Sequence, residues 1–244
     1  MRYLVATILG PEAPAVARIM TAALEAAGAP TGQLGPALEE ISVSGSPLDD
    51  GLVAAAGTHA ASAAYTLHET QPALGEMGRR EATVLLGLIA FAQSGRRVGL
   101  LLDEAVAPED PVHAPAPDLA VITRAPLDAT RRALDLAPAG RPAVGAELTP
   151  DARDAAEDWA TRTGSPLLLG GRDHEVRTET GGRLAFVIRG DPYVTFDPVP
   201  GADAVQLSCA LAAVLALGTL GIRMREEWLL RGLDALRGRD AVAT

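Results

Sequence analysis

The side chains that could carry out chemistry in this sequence are few and widely separated. Ser208 and Cys209 lie in an Ala- and Leu-rich helical segment with no accompanying base, and a single cysteine excludes an internal disulfide and a cysteine-based zinc site. The four histidines show no spacing that places two metal ligands on one helix face; they are His59, His68, His113 and His174. We therefore assign no catalytic residue. We predict that Cys209 is a buried, unreactive thiol and that the histidines are surface or internally hydrogen-bonded residues.

The turn after the first predicted strand is the second place where chemistry could occur. An apolar strand over 3–9, a glycine at Gly10 and helical spacing from Val16 to Ala27 form the opening of a nucleotide-type βαβ unit. Phosphate binding there needs backbone N–H groups, a lysine and a hydroxyl ligand for magnesium. Pro14 has no N–H, Glu12 adds negative charge, and all 21 residues of the Lys+Arg count are arginines. We therefore predict a turn that does not bind phosphate.

Composition limits the partners and the kind of core. Hydrophobic residues make up 48% of the 244 residues and aromatic residues only 3%, so we expect a core of Ala, Val and Leu in sheets covered by Ala-rich helices. A net charge of -10 argues against nucleic acid or an anionic membrane as a partner. No apolar run reaches the roughly 18 residues of a membrane span. The first residues run directly into a strand without a cleavage site, so we expect no signal peptide and a cytoplasmic location.

The period of the apolar residues predicts strands that alternate with helices. Predicted strands lie at 3–9, 41–43, 98–102, 119–123, 143–145 and 166–169. Further helices lie at about 49–67, 78–94, 150–164, 204–217 and 225–236. The proline-rich stretch 105–117 indicates a surface loop, and the segments 183–188 and 193–196 indicate a hairpin. The pattern predicts one α/β domain, a three-layer parallel sheet with helices on both faces and a small antiparallel hairpin.

Several stretches, in order, carry a resemblance to a known family. They are 25–32, 41–48, 81–95, 119–128, 139–145 and 166–173, within a span from about Val5 to Leu236. Together they resemble the central, ATP-binding domain of the Mur ligase superfamily, most closely that of folylpolyglutamate synthase. The resemblance implies a single central domain of this P-loop-like fold over residues 1–244. We expect the family's C-terminal ligase domain to be absent and a helix within 128–139 to be trimmed.

The resemblance also assigns roles to the turn after the first strand. Gly10, Glu12, Ala13 and Ala15 occupy the phosphate loop, with Ala13 at the position of the family's lysine and Ala15 at that of its magnesium-binding hydroxyl. Arg18 is the nearest arginine, but it lies more than one turn further along the helix. The resemblance therefore implies a degenerate, non-functional phosphate loop.

Other family positions are changed as well. Glu81 matches a metal-binding glutamate that opens a long helix, Asp103 follows a strand-end position, and Asp128 precedes an alanine at the family's histidine position. The family's modified, metal-bridging lysine cannot exist here. Asp203 and Leu207 replace the histidine and asparagine of a nucleotide-contacting motif. The resemblance thus implies remnant metal positions at Glu81, Asp103 and Asp128 only.

These positions predict function mainly by what they lack. We predict a degenerate, catalytically inactive Mur-ligase-like domain that needs neither ATP nor magnesium. It would act as a protein-interaction or regulatory subunit, with a second copy or a complete ligase subunit as its partner. Two alternatives stay open. One is an ATP- and Mg-dependent ligase that forms an amide bond from a carboxylate and an amine with the help of a partner chain. The other is a protein that binds a small ligand, such as a pterin or a nucleotide, at the strand ends.

Overall fold

The chain alternates strands and helices along most of its length. The computed structural model describes residues 3–35, 40–71, 77–105, 107, 109–113 and 115–240. In these ranges the strands are β1 Leu4–Leu9, β2 Thr31–Leu34, β3 Ile41–Val43, β4 Ser46–Pro47, β5 Val98–Asp103, β6 Leu119–Ile122, β7 Ala143–Gly145, β8 Leu167–Leu169, β9 His174–Thr178, β10 Leu184–Ile188 and β11 Asp191–Phe196. The helices are α1 Ala13–Ala26, α2 Asp50–Thr70, α3 Arg79–Gln93, α4 Leu127–Leu136, α5 Pro150–Thr163, α6 Ala204–Ala216 and α7 Glu226–Asp240.

Eight strands form the main sheet in the order β4-β3-β2-β5-β1-β6-β7-β8. All neighbours from β2 to β8 are parallel, whereas β3 and β4 add an antiparallel edge. The chain order reverses around β1, and ligands of open parallel sheets bind at the carboxyl ends of strands near such a reversal. The turn that follows β1 therefore lies where a ligand site is expected.

Helices cover both faces of the main sheet, which explains its apolar strands. Every residue of β5 is buried, as a parallel strand covered on both sides requires. On one face α1, α6 and α7 share a core with the three-stranded sheet of β9, β10 and β11. On the other face α4 and α5 share one core, and α3 shares another with the β5 side of the sheet. The three-layer architecture predicted from the sequence is confirmed.

Helix α2 lies outside these layers. It packs against α3 and buries only Ala56 and Ala60 among its 21 residues. Tyr65 and Leu67, near its end, are the large apolar side chains that stand exposed on the described surface, at 68% and 40%. No helix within the described residues is long and apolar enough to cross a membrane.

Some elements differ from those predicted. The predicted hairpin is part of a three-stranded antiparallel sheet, because the polar segment His174–Thr178 pairs with β10 along its whole length. Strand β2 lacks an apolar run, since Gly32 occupies a position where a Cβ atom would overlap the ring of Phe91. The region where a trimmed helix is expected carries the ten-residue α4, whose length relative to the family's helix stays a prediction. In the predicted surface loop, a 3₁₀ turn over Pro111–His113 buries Val112 completely.

Candidate functional site

The turn between β1 and α1 consists of Gly10, Pro11 and Glu12 alone. Gly10 has a φ of +111°, and a Cβ atom there would lie 2.5 Å from the Oγ1 atom of Thr123. The N–H of Gly10 donates to the carbonyl oxygen of Asp103 at 2.9 Å, which ties the turn to the end of β5. Only glycine fits this backbone, so the residue type is explained by the turn itself.

Backbone donors at the start of α1 are hydrogen-bonded within the chain. The N–H of Glu12 donates to the Oγ1 atom of Thr123 at 3.4 Å, and the N–H of Ala13 donates to the carbonyl of Gly10 at 3.0 Å. Pro14, the second residue of the helix, has no N–H. A helix N-terminus binds phosphate through its free N–H groups. At these three successive positions, α1 has no free N–H group for a phosphate.

A charged cluster lies over the same turn. The Oε1 atom of Glu12 accepts from Nη1 of Arg124 at 2.8 Å and from Nε2 of Gln206 at 3.4 Å. Arg124 also contacts the Oδ2 atom of Asp203 at 3.0 Å, so two carboxylates share one guanidinium. The side chain of Glu12 is only 15% exposed, and its Oε2 atom is buried without a hydrogen-bond partner. The cluster is therefore net negative, which disfavours a bound phosphate.

The segment before α6 is held above α1. Arg18, the arginine nearest the turn, donates through Nη2 to the carbonyl oxygens of Pro200 and Gly201 at 3.2 and 3.4 Å. Asp203 caps α6, because its side chain accepts from the N–H of Gln206 while the Gln206 side chain accepts from the N–H of Asp203. Arg18 is thus engaged with the chain's own carbonyl groups. The residues at the predicted nucleotide motif serve as a helix cap.

Ala13 and Ala15 lie in the first turn of α1, beside Gly10 and Glu12. The methyl group of Ala13 is fully buried in the core under α1, and Ala15 is half-buried. The structure therefore brings together the four residues predicted at the phosphate loop. Neither alanine carries a charge or a hydroxyl group, so neither could hold a phosphate or a magnesium ion by its side chain.

The three acidic residues predicted as remnant metal positions lie on different elements. Glu81 and Asp128 are exposed in the first turns of α3 and α4, where carboxylates favour the helix dipole. Asp103, at the end of β5, is buried. Within the described ranges, no three side chains of the types His, Cys, Asp and Glu come together as a group that could hold a metal ion.

Asp103 is committed to the loop that follows its strand. Its Oδ2 atom lies 2.9 Å from Nε2 of His113 and accepts from the N–H of Ala107 at 2.7 Å, while Oδ1 accepts from the N–H of Ala105 at 3.0 Å. Burial would raise the pKa of Asp103, but the hydrogen bonds from His113 and the two N–H groups outweigh it and hold the pKa below its ordinary value. Asp103 is therefore ionised and structural in this arrangement.

An open cleft of about 410 Å³ lies beside the turn. Pro14 of α1 and Leu102 of β5 line it, and its polar side chains are those of Gln33, Glu40, Ser42 and Glu104. Its size is within the range of small-molecule sites, which is roughly 300 to 1,000 Å³. The cleft is the candidate ligand site at the strand ends that the sequence left open.

Sequence reasoning missed one pairing of chemical groups. Ser208 has a base beside it after all, because Nδ1 of His174 lies 2.7 Å from its Oγ atom and both residues are buried. The two residues are 34 positions apart in the sequence, and neither this separation nor the polar strand that carries His174 gave a sequence signal of the contact. Cys209 is buried as predicted, and burial together with the charge of Glu12 raises the pKa of its thiol to about 12.

The arrangement of sheets and helices corresponds to a known fold. A mostly parallel eight-stranded sheet with helices on both faces, a separate three-stranded antiparallel sheet and a βαβ opening at β1 form the central-domain fold of the Mur ligases and folylpolyglutamate synthases. The fold predicted from the resemblance is therefore confirmed. No protein-family model matches the chain, and no curated protein matches its sequence.

Solved structures of folylpolyglutamate synthase share this fold. The chain is similar to the S73A mutant of the Lactobacillus casei enzyme, with a TM-score of 0.83 and 20% sequence identity over 96% of this chain and 63% of that one. It is similar to the Mycobacterium tuberculosis enzyme complexed with ADP, with a TM-score of 0.80 and 19% identity over 96% of this chain and 58% of that one. The chain thus spans about three fifths of the length of the structures it matches. At this identity the likeness describes the fold.

Proposed function

We propose that the chain is a Mur-ligase-like domain that is catalytically inactive as a ligase and acts through contact with another protein, in the cytoplasm. The partner would be a second copy of the chain or a complete ligase subunit. The observation that carries the proposal is the turn after β1: the N–H groups of Glu12 and Ala13 are hydrogen-bonded within the chain, Pro14 has none, and Arg124 is paired with Glu12. ATP and magnesium are accordingly not expected as cofactors.

Phosphoryl transfer depends on positioning and on neutralising charge, so the loss of several charged groups has a large effect. Ala13 and Ala15 contribute no charge at the turn, and the guanidinium of Arg124 is shared between Glu12 and Asp203. A phosphate placed beside Glu12 would face a carboxylate in a partly buried site. The repulsion between the two negative charges would cost on the order of several kcal/mol. This supports the absence of ligase activity.

Calorimetry with ATP and Mg²⁺ tests the inactive half of the proposal. We expect no saturable binding to the wild-type chain, to Glu12→Gln, or to Glu226→Gln, which removes an exposed charge at the start of α7 as a matched control. If a triphosphate did lie at the turn, removing the charge of Glu12 would strengthen its binding and Glu226→Gln would not. Saturable binding of ATP and Mg²⁺ that Glu12→Gln strengthens selectively would reject the proposal and favour the ligase alternative.

Sedimentation velocity tests the interaction half. We expect either a dimer of this chain or a stable complex with a complete ligase from the same cell, and neither should change when ATP and Mg²⁺ are added. The exposed Tyr65 and Leu67 on α2 are consistent with a role based on contacts. A chain that stays monomeric at all concentrations and forms no complex with the ligase would contradict this half alone.

The cleft of about 410 Å³ favours a second candidate function, the binding of a small ligand. Gln33 and Ser42 could donate and accept hydrogen bonds, as a pterin or a nucleoside requires. Fluorescence of the purified protein tests this candidate directly for a pterin. An emission that disappears on unfolding and dialysis would support it, whereas a purified chain with no bound chromophore and no response to added pterin or nucleoside would exclude it.

A further inference from the structure

Ser208 and His174 form a hydrogen-bonded pair away from the turn after β1. Ser208 lies in the second turn of α6, and His174 is the first residue of β9. The Nδ1 atom of His174 is 2.7 Å from the Oγ atom of Ser208, and its Nε2 atom is 3.1 Å from the carbonyl oxygen of Gly145. A carbonyl oxygen only accepts, so Nε2 carries the proton and the hydroxyl of Ser208 donates to Nδ1.

This order of groups is that of an activated nucleophile. A hydroxyl donates to the free nitrogen of an imidazole, and the other nitrogen is fixed by a third group, here the carbonyl of Gly145. We propose that Ser208 is a nucleophile toward small activated acyl esters, with His174 as its general base.

A cleft of about 190 Å³ gives a small acyl group access to the pair. Both side chains line it, and its walls include Gly170, Gly171 and Val176. The volume suits an acetyl-sized group better than a long chain. The cleft lies at the carboxyl ends of β7 and β8, the edge of a parallel sheet where ligands bind.

Charge at the cleft selects the class of ester. Glu147 and Glu175 line it, and Asp173 acts electrostatically on His174. Asp173 is paired with Arg172, and Glu175 with Arg177. Glu147 therefore contributes most of the negative charge at the cleft. This charge disfavours an anionic substrate and accepts a neutral or cationic one. The substrate class is therefore a small neutral or cationic ester.

The backbone offers a donor at the same place. The N–H of Arg189 donates to the carbonyl of Asp173, so in the antiparallel register Val176 directs its N–H group away from β10, whereas the outward side of His174 is bridged to Gly170. Strand β9 is an edge of its sheet, and Val176 lines the cleft. A donor on this side of β9 could bind the oxygen on which negative charge develops during attack.

The proposed step balances without a co-reactant other than water. The Oγ atom of Ser208 attacks the ester carbonyl while its proton passes to Nδ1 of His174, and a tetrahedral adduct forms. The C–O bond to the alcohol breaks, the alcohol leaves with the proton from Nδ1, and an acyl-Ser208 ester remains. Water then attacks this ester with the same base, which releases the acid and restores the hydroxyl.

The protonation state of His174 agrees with a base at neutral pH. Burial lowers its pKa to about 4, against the opposing effects of the Gly145 hydrogen bond and the Asp173 charge. The imidazole is therefore neutral at pH 7 and its Nδ1 atom can accept a proton. A base of such low pKa is weak, so slow acylation is expected, with a rate that falls as pH decreases toward 4.

A fluorophosphonate probe and p-nitrophenyl acetate test the proposal on the full chain. We expect a single adduct by intact mass, placed on Ser208 by peptide mapping, and a release of p-nitrophenol roughly 100-fold faster than from Ser208→Ala or His174→Gln. Ser165→Ala is the matched control, since Ser165 is also buried and hydrogen-bonded but has no imidazole beside it. It should react like the wild type.

Two outcomes would overturn the proposal: no adduct on Ser208 in the wild-type chain, or an adduct and ester release that persist unchanged in folded Ser208→Ala. Should Ser208→Ala fail to fold, peptide mapping of the wild-type adduct decides alone, because it names the labelled residue without a variant. Folding of each variant is checked by its thermal melting.

Discussion

Single residues at the turn after β1 combine backbone geometry with charge. Gly10 adopts a left-handed conformation against Thr123, and Glu12 places a carboxylate beside a helix start where the N–H groups of Glu12 and Ala13 are hydrogen-bonded within the chain. A tight glycine turn between a strand and a helix is also the backbone geometry of a nucleotide-binding βαβ unit. The side chains at this turn are not those of such a unit. The turn thus combines a left-handed glycine with an internal ion-pair cluster.

Gly10→Ala should destabilise the protein by about 2 to 4 kcal/mol, from a strained left-handed alanine and a methyl group forced against Thr123. Urea denaturation measures the change. Gly57→Ala is the matched control, because Gly57 lies inside α2 with open space around it and should gain about 0.5 to 1 kcal/mol. Equal effects of the two substitutions would show that the turn does not need glycine.

His174 should make stability depend on pH in a defined window. Its pKa is about 4 in the folded chain and 6.5 in its ordinary state, so between these values the unfolded chain binds more protons. The contribution of His174 to stability should therefore be constant above pH 6.5 and fall by about 3 kcal/mol as pH decreases to 4. Urea titrations at several pH values should show this loss in the wild type and in His59→Gln, an exposed control. In His174→Gln that part of the loss should vanish; an unchanged profile would contradict a buried, neutral His174.

For single residues, the sequence predicted the properties that depend on residue type alone. Cys209 is buried as an Ala- and Leu-rich helix indicates, with a raised thiol pKa, and the missing charges at the turn are visible without a structure. The contact of Ser208 with His174 was missed, because it joins two elements that only the tertiary fold brings together. The ion pair of Glu12 with Arg124 joins residues 112 apart and was unpredictable for the same reason.

Among the elements, α6 begins at a helix cap, Asp203, in the segment where the resemblance implies a nucleotide contact. Asp203 accepts from the N–H of Gln206 at 2.8 Å and also pairs with Arg124, although the Asp203 and Arg124 side chains are 43% and 45% exposed. A half-exposed ion pair contributes little to the free energy of unfolding, whereas an N-cap contributes about 1 kcal/mol. The main role of Asp203 is therefore to begin the helix that carries Ser208.

Asp203→Ala should lower the free energy of unfolding by about 0.5 to 2 kcal/mol through loss of the cap. Asp203→Asn keeps a side-chain oxygen for the N–H of Gln206 and should stay close to the wild type. Thermal and urea unfolding of both variants give the measurement. If asparagine were as damaging as alanine, the charge contact with Arg124 would be the larger effect and the cap the smaller.

Helices and strands whose apolar residues recur with a clear period were predictable. Elements whose residue types are determined by the elements packed against them were not. Helix α5 begins at Pro150 and ends before Gly164, as its cap residues indicate, and β7 has its predicted bounds. Strand β2 was not predicted, because the ring of Phe91 occupies the space that an apolar side chain at position 32 would fill, and that position is therefore Gly32. Strand β9 is polar because it forms the edge of its small sheet, so alternation of apolar residues could not identify it.

Across the whole molecule, the face formed by α1, α6 and α7 joins the two sheets. One core contains residues of the main sheet, of these three helices and of β10 and β11. Because the chain has few aromatic side chains, its helices pack through small residues that come close together. Gly232 on α7, for example, lies against the backbone of Ala22 and Ala23 on α1. The stability of this face therefore depends on backbone contact between helices.

Gly232→Ala tests that dependence, because its two expected effects have opposite signs. Alanine in a helix interior normally gains about 0.5 to 1 kcal/mol, but a Cβ atom at Gly232 would lie 2.7 Å from the backbone of α1. Since backbone cannot move aside as a flexible side chain can, we expect a net loss of about 1 to 3 kcal/mol. Amide hydrogen exchange should then become faster in α7 and in the facing turns of α1, while α4 and α5 on the opposite face stay protected. Gly238→Ala, with open space around it, is the control and should gain stability. A stabilised Gly232→Ala would mean that α7 can shift away from α1 at no cost, and that the core joining the two sheets does not depend on this crossing.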